Sequence, residues 1–163
     1  MVDPDLETSA WTLPRIPASA GALIRDRSGR LLILNPTYKK HWTIPGGQVE
    51  DTGETPWEAC RRETLEECGL EVASARLVCV DFLRRSGARD GGVRFLFDCG
   101  ALDDQHLGAI ALQREEISEY RLVELTQALA LLSGPVRRRV MAAATAEHCV
   151  YLEDGRPLAA VRS

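Results

Sequence analysis

The sequence predicts a mixed α/β (α+β) domain, a sheet of short strands sandwiched between helices, and three observations lead there. Short apolar runs of strand length recur along the 163 residues, bounded by glycine, proline and aspartate. Among them stands one strongly signalled helix between Thr55 and Gly69. Two further helical patterns follow towards the end, so the whole chain fits neither an all-helical nor an all-strand architecture.

Taken in order, residues 1–16 contain Pro4 and Pro14 and read as a loosely held lead-in. The domain proper is expected over 17–148, with 149–163 as a tail or hairpin. Ala18–Ile24 and Leu31–Leu34 read as strands, joined by the hairpin chemistry of Asp26-Arg27-Ser28-Gly29-Arg30. A loop over Asn35–Lys40 and a brief extended piece, His41–Ile44, lead to Pro45-Gly46-Gly47. That turn bares backbone carbonyls and lets a ligand approach closely.

The helix follows. Thr55 suits its N-cap, Pro56 the first helical position, and Glu58 completes a capping box. Gly69 supplies the left-handed stop, and Trp57, Cys60, Thr64 and Cys68 form the packing stripe, which sets the glutamates beside it facing a cleft. Val72–Leu83 and Val93–Cys99 are two more expected strands, joined by the polar, basic Arg84–Gly92. Ala101–Leu112 reads as irregular and Ser118–Val123 as a strand. Leu125–Leu132 is helical, Gly134-Pro135 breaks it, and Val136–Glu147 is a second helix. Tyr151–Leu158 around Asp154-Gly155 is expected as a terminal hairpin. Arg137, Arg138 and Arg139 read as a solvated face.

Bulk properties narrow the function. With 20 basic against 24 acidic residues, net charge −4 argues against a nucleic-acid backbone as partner. Five cysteines without a C-x-x-C argue against a disulfide framework or zinc knuckle and favour a reduced, cytoplasmic setting. The start lacks a basic, then apolar, leader, and no apolar run approaches the roughly 20 residues of a membrane span. His41, His106 and His148 have no ligand spacing.

The chemistry concentrates in Gly46–Leu70, reading GGQVEDTGETPWEACRRETLEECGL. Glu63 and Glu67 stand one helical turn apart with Glu66 beside them, a repulsion of roughly 0.2–0.5 kcal/mol per i,i+4 pair. Glu66 has Arg62 as a partner, whereas Glu67 has no basic residue three or four positions away. Such a cluster suits a hard divalent cation that seeks oxygen ligands. Arg84, Arg85 and Arg89 are candidate phosphate contacts, and Trp42 and Tyr38 candidate stacking partners for a base.

This segment resembles the Nudix box, Gly-x5-Glu-x7-Arg-Glu-U-x-Glu-Glu-x-Gly-U with U aliphatic. Glu54 is followed by seven residues and then by Arg62-Glu63-Thr64-Leu65-Glu66-Glu67-Cys68-Gly69-Leu70, in register at every charged position. Two features depart from the pattern. One extra residue lies between Gly47 and Glu54, in Asp51-Thr52-Gly53, and Thr64 replaces an aliphatic. The flanking Trp42–Gly47 and Glu116–Tyr120 segments are also similar to the family, extending the likeness over most of 18–132. The resemblance implies a Nudix-type mixed sheet between helices and hydrolysis of a phosphoanhydride in a nucleoside triphosphate or nucleoside diphosphate derivative. It implies Mg2+, with Mn2+ as the alternative. Glu63 and Glu67 would ligate the metal, with Glu66 as ligand or general base and the Gly47 carbonyl as a further ligand. Arg62 would orient the carboxylates through Glu54 or Glu66. Glu116 would act as base or ligand beyond the box, with Glu115 and Glu119 as alternatives. A non-catalytic nucleotide-binding or regulatory module is the rival reading. Some relatives dimerise, and in a homodimer the final helix and the tail would be the contact surfaces.

Overall fold

The computed structural model describes residues 14–161; most of the expected lead-in, 1–13, lies outside the described residues. Eight strands and four helices follow the order β1 (Ala18–Arg25), β2 (Leu31–Pro36), β3 (Gly46–Gln48), α1 (Pro56–Cys68), β4 (Arg76–Leu83), β5 (Gly92–Ala101), α2 (Asp104–Gly108), β6 (Ile117–Val123), α3 (Leu125–Leu131), α4 (Gly134–Ala144), β7 (Val150–Glu153) and β8 (Arg156–Pro157). They build one mixed sheet in the order β6-β2-β1-β5-β4-β7-β8, with β3 paired to β1 off that path. β1 runs parallel to β5, and β4 parallel to β7.

Period-two alternation divides the apolar residues between two cores. Ala20, Ala22, Ile24, Leu32 and Leu34 pack on α1 through Ala59, Cys60 and Cys68. Leu23, Leu31 and Ile33 point to the other face, where Ala128, Val140 and Ala143 of α3 and α4 cover them. The expected sheet between helices is therefore present, and small residues on α1 let that helix sit close to the strands.

Local signals account for most element ends. Asp26 Oδ1 accepts the backbone N–H groups of Ser28 and Arg30 and so closes the β1–β2 turn. Thr55 and Glu58 form the capping box reciprocally, and Gly69 closes α1 at φ 68°. The β7–β8 hairpin turns at Asp154 and Gly155 with both φ positive, at 51° and 76°, the geometry of a two-residue hairpin turn.

Four expectations need correction. β4 starts at Arg76 and not at Val72, because Ala73-Ser74-Ala75 offers little to a pleated surface; Val72 is instead a buried anchor whose carbonyl accepts from Arg61 Nε. The stretch expected to be irregular contains α2, capped by the Asp103 side chain accepting from the His106 N–H. α4 begins at Gly134, with Pro135 in its first turn, where a missing N–H costs nothing. Gly46-Gly47 forms no free turn but the strand β3, antiparallel to β1. A Cβ on Gly46 would collide with the Ala20 carbonyl and Gly21 Cα, so only glycine permits this pairing.

All five cysteines are free thiols. Among the described residues no helix is long and apolar enough to cross a membrane.

Candidate active site

A cavity of about 470 Å3 opens between β1, β3, α1 and β5. Glu63 and Glu67 enter it from α1, Gly46 and Gly47 from β3, and Glu116 from the segment before β6. Hydrogen bonding explains how Glu116 arrives there. The N–H groups of Ala111 and Gln113 donate to the Cys68 and Glu67 carbonyls, fastening this segment to the end of α1. Thr37 then donates its N–H to the Glu116 carbonyl and its hydroxyl to the Glu115 carbonyl, each at 2.8 Å.

Glu67 is 4% exposed, on the packing stripe and not beside it. Among the described residues it forms no salt bridge, as its helical neighbours imply, but the Gly46 N–H donates to its Oε2 at 2.8 Å. Burial dominates and pushes the Glu67 carboxyl up to about 8, with Glu63 and Glu116 adding repulsion. Burial also raises Glu63, although Arg62 pulls the other way. The Glu63 carboxylate lies against the Cα of Gly47, in space that any Cβ there would occupy.

Arg62 organises the rest of the box. It donates to Glu54 Oε1 and Oε2 at 2.7 and 3.1 Å, to Glu63 at 2.9 Å, to Glu66 at 3.2 Å and to the Gln48 carbonyl at 3.0 Å. The sequence reading had it acting through Glu54 or Glu66; it holds both. The Arg62 hydrogen bond, with the Glu50 N–H, keeps the Glu54 carboxyl below its ordinary value. The extra residue before Glu54 therefore leaves this contact intact: the loop turns outward at Gly53, φ 85°, and Glu54 clamps its base. Thr64, the other departure, is fully buried with its hydroxyl donating to the Cys60 carbonyl at 2.7 Å.

Several expected contacts lie elsewhere. Glu66 is half exposed at its side chain and does not line the cavity. Trp42 is a core residue, 8% exposed, with the Arg121 guanidinium stacked 4.6 Å above its ring. Arg84 pairs with Glu153 across the β4–β7 edge, and Arg85 faces a separate surface hollow. Glu119 is held by Arg121 at 2.8 Å. Tyr38 does line the cavity.

Three cavity cations escaped the sequence reading: Lys39, Arg94 and Arg139. Arg139 is 9% exposed and donates to the fully buried Asp81 at 3.2 Å, which overturns its reading as a solvated residue. Arg139 falls three residues after Val136 and beside Val140 and Ala143 on the apolar stripe of the helix; that was the available signal. Arg94 sits on β5, and burial together with the Arg139 charge pulls its guanidinium below the ordinary value.

One cavity thus joins surplus carboxylates to a set of cations. Among the described residues no three acidic, histidine or cysteine side chains converge into a ready-made metal cage. The donor set nevertheless suits a hard cation: two carboxylates against a glycine strand that has no side chain to fill the gap.

The family model of the NUDIX domain matches residues 15–144. A 63-residue stretch is 36% identical to an 8-oxo-dGTP diphosphatase from Proteus vulgaris, covering 36% of this chain and 55% of that protein, about half its length. The fold superposes on the MutT protein of Methanosarcina mazei Go1 with a TM-score of 0.67, at 23% identity over 82% of this chain and 96% of the other. An Ap4A hydrolase of C. elegans, solved as a binary complex, gives a TM-score of 0.55 at 26% identity over 76% of this chain and 96% of the other.

Proposed function

This chain belongs to the Nudix hydrolase family, and on that footing we propose that it hydrolyses a phosphoanhydride bond in a nucleoside triphosphate or nucleoside diphosphate derivative. The observation that carries the reading is the single cavity uniting Glu63, Glu67 and Glu116 with Lys39, Arg94 and Arg139. A bare anion site would need only the cations, and a bare cation site only the acids.

Glu63 and Glu67, with the Gly47 carbonyl, would hold Mg2+ or Mn2+, which supplies charge neutralisation at the phosphate oxygens and a more acidic attacking water. Lys39, Arg94 and Arg139 bind the remaining phosphate oxygens, with arginine offering paired N–H donors to each group. Arg62 fixes the Glu63 rotamer and restrains Glu54 and Glu66, so we place Glu66 in this supporting network and not among the ligands. Glu116, the remaining cavity carboxylate, takes the proton as the water oxygen bonds to phosphorus and the bridging oxygen departs with the other phosphate.

A screen of nucleoside di- and triphosphate derivatives, run with Mg2+ and with chelator, tests the reading. Metal-dependent release of phosphate or a mononucleotide is expected. Tight binding of the same compounds with no turnover would identify the rival, non-catalytic module instead.

A further inference from the structure

The main cavity has a neighbour. Arg94 and Gln48 also line a second cavity, of about 600 Å3, framed by the β4–β5 connection, the first turn of α4 and the β7–β8 turn. Its charged lining is Arg84, Arg89, Arg94 and Arg138 against Asp90 and Asp154. Arg84 is committed, paired with Glu153 and 3.9 Å from Asp154. The other three form no salt bridge among the described residues.

Arg94 is the informative member. It is half-buried, and its hydrogen bonds are long ones, to the carbonyls of Val93 at 3.3 Å and Gly91 at 3.4 Å. Its neighbour Arg139 already has Asp81 as a partner. Arg138 is not free to swing away: its guanidinium stem packs against Gly155, where a Cβ would collide with Nε. A half-buried guanidinium outside any salt bridge is costly, and Arg89 and Arg138 line the same groove. An exposed basic loop alone would be solvated and unremarked. Here, though, the charges line a hollow that shares Arg94 and Gln48 with the reaction cavity.

A substrate whose only anionic part is the scissile anhydride would leave this groove empty of counter-charge. We infer that the groove binds a second phosphate of the substrate, one outside the anhydride, so that the preferred substrate class is a phosphoanhydride carrying an additional phosphate group. The position of the anhydride rests on the proposed hydrolase reading; phosphate capture by the groove does not. Arg94 reads both ends, and Arg89 and Arg138 set the preference for the extra group.

Matched pairs differing by one phosphate test this by calorimetric titration of the full chain in chelator, where no turnover is needed: NADP+ against NAD+, and coenzyme A against its 3′-dephospho form. The phosphorylated member of at least one pair should bind about tenfold tighter. That contrast should shrink towards unity in Arg89→Ala/Arg138→Ala and in Arg94→Met, and at salt of about 0.5 M. The double variant changes exposed side chains outside any salt bridge, so it keeps the test readable if Arg94→Met fails to fold. Equal affinities in both pairs, no binding of any member, or a contrast surviving in the double variant would each overturn the groove assignment. A contrast in chelator without hydrolysis in Mg2+ would leave the groove standing and remove the proposed reaction. Hydrolysis without the contrast would do the reverse.

Discussion

Two arginines on different helices illustrate two ways of arranging buried charge. Arg139 of α4 meets one carboxylate, Asp81 of β4, whose side chain is fully buried and whose other oxygen accepts the Gly155 N–H at 2.9 Å. The two charges balance, and Arg139 keeps further N–H donors beyond that single bond. Arg62 of α1 meets Glu54, Glu63 and Glu66 within 3.2 Å, with Glu50 at 3.9 Å, while Glu67, one turn from Glu63, forms no salt bridge among the described residues. The first arrangement ties α4 to β4 and to the β7–β8 turn. The second crowds carboxylates beside a cavity, where a proton on Glu67 or an added cation relieves the repulsion.

The largest effect should come from the balanced pair. Asp81→Ala leaves Arg139 buried and unpaired and is expected to cost about 3–5 kcal/mol in urea unfolding. Asp81→Asn with Arg139→Met should recover much of it. A loss below about 1 kcal/mol from Asp81→Ala would mean that Arg139 finds water or another partner, and the contrast between the two clusters would dissolve.

Next comes the crowded cluster. Glu67→Gln keeps the shape and the Gly46 bond to a side-chain oxygen but removes the charge, so metal-dependent turnover should fall about 100-fold or more. Metal-free stability should hold or rise at neutral pH. Near-wild-type rates on the best substrate would exclude Glu67 as a ligand.

The pH dependence carries a definite sign. Glu67 titrates near 8 in the fold against an ordinary 4.5, so the folded state binds its proton more tightly than the unfolded chain does. Its contribution is complete below about pH 4.5 and is lost as pH rises through about 8. In chelator, stability should therefore decline between pH 5 and 8 by an amount on the order of 3–4 kcal/mol, and Glu67→Gln should flatten that slope. A metal-free protein whose melting temperature climbs over this range would contradict the burial of Glu67.

Added Mg2+ or Mn2+ should oppose the same decline, by about 2.7 kcal/mol at a hundredfold excess over the dissociation constant, read as a rise in melting temperature at pH 8. No shift at millimolar metal would count against Glu63 and Glu67 as ligands. Smallest of all is Thr64→Val. Its hydroxyl serves only the Cys60 carbonyl, which keeps its helical partner, so a change under about 1 kcal/mol is expected. A larger loss would show that this hydroxyl supports the carboxylates above it.

What the sequence disclosed follows the range of the forces involved. Thr55, Glu58 and Gly69 mark α1 through contacts within one turn, so its ends were legible. The spacing of Glu63 and Glu67 was equally local, and Glu116 was named through a resemblance, with the Thr37 bonds supplying the physical reason for its place. The cations were hidden because tertiary structure assembles them: Arg94 enters through parallel pairing of β5 with β1, and Arg139 through the seating of α4 on β4. Trp42 misled because an aromatic near a glycine turn serves stacking and core packing equally well. Arg84 was drawn off by the β7–β8 turn, a contact with residues some seventy positions away.

The loop over residues 50–54 has a practical bearing. The Glu54 side chain closes it at the base on the Glu50 N–H, while Gly53 at its tip has open space where a Cβ would be. Its length is thereby uncoupled from the helix that follows, as the extra residue already demonstrates. It makes a natural graft point for a short tag or fluorophore, separate from the groups that would do the chemistry.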